Sequence, residues 1–162
     1  MIEIQNRGKG LRRPDRAMTE EEIWDFVAEA RTARVATAGP DGWPYVVPFH
    51  YAVRDTSVVI HCAPNGHFLR NVRSNPKVCF EVDEARGLIR SGGPCDWSEE
   101  YRSVVAFGRA RVLRDDAERE EALNLLVERY GGEPGPLGLS GVEVVEIELE
   151  VVTGKKKSRL SR

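Results

Sequence analysis

ARVATAGPDGWPYVVPFHYAVRDTSVVIHCAPNGHFLRNVRSNPKVCFEV, residues 33–82, decides the fold. Arg34-Val35-Ala36-Thr37-Ala38 runs into Gly39-Pro40-Asp41-Gly42, where proline presets φ, aspartate accepts local hydrogen bonds and glycine tolerates positive φ. That is a hairpin signal. Its second strand, Trp43–Ala52, places Trp43, Tyr45, Val47, Phe49 and Tyr51 on one face and Pro44, Val46, Pro48, His50 and Ala52 on the other. Proline cannot donate to a ladder, so part of this strand must be an edge, a bulge or backbone turned toward a ligand. A second turn at Asp55-Thr56 leads into Ser57–His61 and puts His50 opposite His61. Ala63-Pro64-Asn65-Gly66 then precedes a helix over His67–Ser74, with Asn65 as the expected cap and Asn75-Pro76 as the stop. Lys77–Val82 reads as a buried strand.

Working outward, residues 1–18 are polar and basic without periodicity and read as a loose arm. Thr19 with Glu22 forms a capping box, and Ile23, Phe26, Val27 and Ala30 make one apolar stripe of a helix. On the other side, residues 83–100 hold Gly87, Gly92-Gly93-Pro94 and several acidic positions, and read as a long surface loop. Arg102–Leu113 is a strand with a bulge expected at Gly108. Asp115-Asp116 starts a helix whose stripe is Ala122, Leu123, Leu126 and Tyr130, stopped by Gly131. Residues 131–141 form a glycine-rich, flexible connector. In Val142–Val152, Val145, Ile147, Leu149 and Val151 share the buried side of a last strand. Lys155-Lys156-Lys157 and Arg159 belong to a basic tail.

Strands joined by hairpins rather than by regular helical crossovers argue for an antiparallel barrel or sandwich, and the small barrel is the expected form. The division is an arm over 1–18, a domain over 19–153 and a tail over 154–162. At 162 residues, 41% hydrophobic and 31% charged, one domain can bury a core unaided. No apolar run approaches the roughly 18 residues of a membrane span, so no membrane contact is expected. A net charge of -2 offers nucleic acid no general attraction. The start lacks the pattern of a signal peptide, and Cys62, Cys79 and Cys95 have neither disulfide nor zinc-knuckle spacing, which points to the cytoplasm.

Pro64-Asn65-Gly66-His67 opening a helix is a sound phosphate cradle: free amides, a positive dipole end, and Arg70, Arg73 and His67 close by. An ordinary capped helix with a solvated basic face explains the same residues. A metal site would need His50, His61 and His67 to converge, and Cys62 should point away from His61, so none is expected. Cys79 reads as a small buried hydrophobe, and Cys95 has no base to activate it.

Taken together, Arg34-Val-Ala-Thr37, Asp41-Gly-Trp-Pro-Tyr-Val-Val-Pro48, Tyr51, His61-Cys-Ala-x-x-Gly66, Asn71-Val-Arg-x-Asn-Pro76, Cys95-x-Trp97, Tyr101-x-Ser-Val104 and Gly108 resemble the pyridoxamine 5'-phosphate oxidase-related split-barrel family, in its nitroimidazole-reductase-like branch. The likeness runs over about residues 19–130. It implies a six-stranded antiparallel split β-barrel with flanking helices, a homodimer, and FMN at the subunit boundary. By the same resemblance Pro48, Phe49, His50 and Tyr51 border the flavin ring, with His50 the ring-side contact. His61, Cys62, Asn65, Gly66, His67, Arg70 and Asn71 would hold the phosphate, and Lys155 would approach the cofactor. The branch has a hydroxyl residue and a basic pair where this chain has Cys62 and His67-Phe68, leaving Arg70 and Arg73 as the cations.

Three functions follow from this reading. The first is an FMN-dependent oxidoreductase passing hydride or electrons from a nicotinamide cofactor to a small planar substrate. The second is a non-catalytic binder or carrier of haem, deazaflavin or flavin in the same groove. The third is a dimeric interaction module without cofactor.

Overall fold

The capping box closes in full: Thr19 Oγ1 accepts from the Glu22 amide at 3.2 Å, and the Glu22 carboxylate accepts from the Thr19 amide at 2.9 Å. A computed structural model describes residues 13–158 and the backbone of Glu3–Ile4. In it helix α1 (Glu20–Glu29) buries Ile23, Phe26 and Val27, the stripe its period foretells.

Among the described residues eight strands form one sheet: β1 (Glu3–Ile4), β2 (Ala33–Ala38), β3 (Pro44–Phe49), β4 (Ala52–Arg54), β5 (Ser57–Cys62), β6 (Lys77–Ile89), β7 (Ser98–Val112) and β8 (Glu143–Lys157). The order is β3-β2-β6-β7-β8-β5-β4, with β1 added to β8 in parallel. β3 and β4 follow each other in the chain yet lie at opposite edges. His50 and Tyr51 therefore carry the chain across the gap, and the sheet closes by covalent connection rather than by a ladder. That is a split barrel, as expected, with β4 and the short β1 added to the six strands foreseen. The single strand read over Trp43–Ala52 is broken at this corner. Tyr51 is fully buried there, its Oη donating to the Val27 carbonyl at 2.6 Å and its amide to Tyr130 Oη at 3.2 Å. The Asp55-Thr56 turn holds, with Asp55 at φ 53 and pairs Ala52↔Val59, Val53↔Val58 and Arg54↔Ser57.

Three further readings are corrected. β6 and β7 pair from Lys77↔Arg109 out to Ile89↔Ser98, so only residues 90–97 are loop. Beyond the barrel neither face of this hairpin is fully buried; charged Asp83, Glu84, Arg86, Glu99 and Glu100 interrupt the apolar alternation by which strands are recognised. The arm is not loose where it is described. Pro14–Arg16 is a 3-10 turn, Ala17 bridges to Lys155, and the buried Met18 donates its amide to the Gly154 carbonyl at 3.0 Å. The tail from residue 154 is strand as far as Lys157, while Arg159 lies outside the described residues.

The expected bulge sits between Phe107 and Gly108, where β8 has one residue more than β7: Phe107 pairs with Val151 but Gly108 with Leu149. One extra residue flips the faces of everything beyond it. Val152 is accordingly buried, and Val151, read as inward, turns outward beside Phe107. Helices α2 (His67–Ser74) and α3 (Asp116–Arg129) cover the barrel. A second apolar cluster of Ala52, Val59, Leu113, Ala122, Leu126 and Val144 lies under α3, which is why Val144–Ile147 is buried on both faces.

Candidate functional site

Among the described residues β3 has one strand neighbour, β2, and two of its six residues, Pro44 and Pro48, lack an amide hydrogen. The free edge is thereby blunted against a further strand and left open to a ligand. α2 starts beside this edge. Gly66, not Asn65, is its N-cap, and no side chain caps the first turn, which leaves its amides unclaimed by the protein's side chains. The Asn65 carbonyl instead accepts from Arg70 Nη1 at 2.8 Å, drawing the guanidinium back toward the helix start. His67 stacks on Tyr45 of β3 with centroids 4.2 Å apart and planes at 23°. Asn71 is buried and donates from Nδ2 to Thr37 Oγ1 at 3.0 Å. His67, Arg70 and Asn71, with Pro40, Asp41 and Ser74, border a cavity of about 360 Å³.

The other expected cation is not there: Arg73 Nη2 donates to Glu143 Oε1 at 3.0 Å and faces β8. Cys62 pairs with Glu143 in the ladder, and burial, reinforced by the Glu143 charge, pushes its thiol up to about 11. The thiol is therefore protonated at neutral pH and is at most a weak donor. Phe68, in the position of the missing base, is core: its ring meets Phe49 edge-on at 4.8 Å. At pH 8, iodoacetamide should modify exposed Cys95 faster than Cys62, because burial both holds the Cys62 thiol protonated and restricts access to it. Peptide mass mapping over time reads this directly, and equal rates would contradict the placement of Cys62.

His50, at the far end of β3, stacks on Tyr130 at 4.5 Å and 25°. With His61, Leu123, Leu126 and Leu137 these two rings line a second cavity of about 380 Å³. The two histidines do converge here, while His67 sits at the first cavity. Sequence reasoning missed this pocket because one wall is the connector, read as flexible. The connector is anchored to α3: Asn124 bonds both the amide and the carbonyl of Gly135, at 3.0 and 3.1 Å. Leu137 donates its amide to Glu120 Oε1 at 2.7 Å, and Arg119 donates to the Leu139 and Val142 carbonyls at 3.0 and 2.7 Å.

Other expected site residues are spread over both faces of the barrel. Pro48 is exposed on the outer face of β3, and Phe49 turns inward toward Phe68. Tyr51 is core, its phenol raised well above its ordinary pKa by burial. Lys155, on β8, pairs with Ser103 of β7 and lies four strand spacings from β3, which is about 19 Å along the sheet.

A family model described as pyridoxamine 5'-phosphate oxidase matches residues 19–156. No curated protein matches the chain in sequence. Solved structures do. An FAD-binding protein from Mesorhizobium loti is 29% identical at a TM-score of 0.66, over 88% of this chain and 98% of its own. The flavocytochrome Anf3 from Azotobacter vinelandii is 20% identical at a TM-score of 0.82, over 97% and 77%. A protein described as a 5-nitroimidazole antibiotic resistance protein from Bacteroides thetaiotaomicron is 21% identical at a TM-score of 0.77, over 86% and 85%. The likeness to these last two shows a shared fold.

Proposed function

The chain belongs to the pyridoxamine 5'-phosphate oxidase family of split-barrel proteins, and we propose that it is a cytoplasmic, homodimeric FMN-dependent oxidoreductase acting between a nicotinamide donor and a small planar acceptor. The observation that carries the reading is the uncapped start of α2 against the open edge of β3. Amides of a first helical turn, an adjacent guanidinium and an imidazole are the donor set a phosphomonoester needs. From Tyr45, beside that cradle, to His50 is five residues of extended chain, roughly 17 Å at 3.3–3.4 Å each, enough to lay a ring system along β3. The flavin-binding relatives named above point the same way.

In this reading Arg70 and the α2 amides hold the phosphate, and His67 is kept in place by its stack on Tyr45. Val46 and Pro48 give the ring an apolar floor, and His50 stands at its end. The flavin, when bound, supplies two-electron and one-electron redox chemistry that no side chain here possesses. The protein orients it, shields it from water and sets the field around it.

Titrating FMN into the protein should quench flavin fluorescence with micromolar affinity. Replacing Arg70 by alanine should weaken binding tenfold to about a hundredfold, the range of one hydrogen bond to a charged group, with no change in circular dichroism. No quenching by the parent protein would overturn the proposal. A Soret band near roughly 400 nm would show haem in place of flavin.

A further inference from the structure

We infer that the cavity between α3, the anchored connector and the His50–Tyr130 stack is a binding site of its own, for a one- or two-ring flat aromatic molecule carrying an oxygen acceptor at one end. Its walls set that chemistry. Leu123, Leu126 and Leu137 surround the space with apolar surface, and the His50 ring, held against Tyr130 while the Arg31 guanidinium lies 5.3 Å from the Tyr130 centroid, offers flat contact. Two imidazoles, His50 and His61, are the polar groups that border it. Neither forms a side-chain hydrogen bond with another described residue, whereas Tyr130 Oη is already engaged with the Arg31 carbonyl and the Tyr51 backbone. Each imidazole has an N–H to give, so the pair suits a carboxylate, nitro or carbonyl oxygen. About 380 Å³ lies near the small end of ligand pockets, which suits such a molecule and not an extended chain or a macrocycle.

The wall opposite the barrel is a strap rather than a helix. Its backbone is clipped to α3 through Asn124, Glu120 and Arg119, so the pocket is formed without a ligand. His50 belongs to both this pocket and the end of β3. A molecule bound here would lie against the end of the flavin ring, as the electron acceptor. That role rests on the flavin reading; the binding itself does not.

The chain has three histidines, so their ring C–H signals in proton NMR are assignable from three His→Gln variants. Adding 2-naphthoate to the protein, without flavin, should shift the His50 and His61 signals along one saturable curve while His67 stays still. Naphthalene-2-methylammonium, the same ring with a cation in place of the carboxylate, should bind more weakly. Leu123→Trp, which fills the pocket with a ring, should weaken naphthoate binding at least about tenfold. Gly138→Leu is a second filling variant, at a position where an added Cβ meets nothing within 4 Å, so it spares the fold if Leu123→Trp does not. A shift of His67 alone, no shift at all, equal binding of the cation, or full affinity in both variants would overturn the inference. FMN quenching on the same sample separates the two claims: quenching without naphthoate binding leaves the flavin reading standing, and naphthoate binding without quenching leaves the pocket.

Discussion

Replacing Gly108 by alanine should destabilise the protein by about 3–5 kcal/mol, the range of the severe single-site effects, and lower its melting temperature by about 10 °C or more. The added Cβ would stand 2.0 Å from the Glu148 carbonyl oxygen, 3.0 Å from its carbon and 3.3 Å from Leu149 Cα. All three are backbone atoms of β8, so no rotamer change can make room. Relief requires separating β7 from β8, whose ladder runs from Tyr101↔Lys157 to Val112↔Val145 through the middle of the sheet. A loss of this size is a large share of the roughly 5–15 kcal/mol that holds a domain together. Gly135→Ala is the control, since its Cβ would meet nothing within 4 Å, and it should change stability by less than about 1 kcal/mol. Urea unfolding of both variants reads the contrast. Equal midpoints would mean that β7 and β8 do not approach as described.

Where a local rule and the global fold agree, the sequence was legible. The Thr19-Glu22 box, the Gly39–Gly42 turn and the α3 stop at Gly131 each needed only neighbours within a few residues. The Asp55-Thr56 turn even set a register that the strands keep. What long-range partners decide was not legible. Residues 83–89 and 98–101 are strand because they pair with each other, and the charged residues scattered through both hide the alternation. Val151 faces outward because of one residue inserted next to Gly108; Gly108 was visible, but not which strand would take the insertion. At the site, the α2 cradle could be read from its motif, although Arg73 answers to Glu143 on a distant strand. The second cavity had no signal in the stretch searched, because α3 and the connector build most of it. Its one sequence trace is polar Asn124, set between apolar Leu123 and Leu125 and reaching for a glycine-rich segment.

In the proposed homodimer, Phe107→Glu should separate the subunits without unfolding them. Val46, Ala36, Cys79, Phe107 and Val151 are successive ladder partners across β3, β2, β6, β7 and β8, so they form one apolar row on the outer face of the sheet. Phe107 is 58% and Val46 60% exposed, a surface that a monomer gains nothing by presenting to water. Ion pairs flank the row, Arg34 with Glu81 at 3.3 Å on one side and Arg109 with Glu150 at 2.8 Å on the other. An apolar centre inside a charged rim is the anatomy of an association surface, and a two-fold axis lets one such patch meet its own copy. An unpaired carboxylate at the centre of that contact costs about 3–5 kcal/mol, so dimerisation should weaken more than a hundredfold. The inner face keeps Phe80, Val82 and Ala106 untouched, so the monomer should melt cooperatively. Sedimentation velocity distinguishes the states; a Phe107→Glu protein that remains dimeric places the contact elsewhere. Val46, on this row, and Pro48, one row along, are also the floor of the proposed flavin groove, so loss of the dimer should carry FMN affinity down with it. Monomers that bind FMN as tightly as the parent would show that each barrel holds the flavin alone.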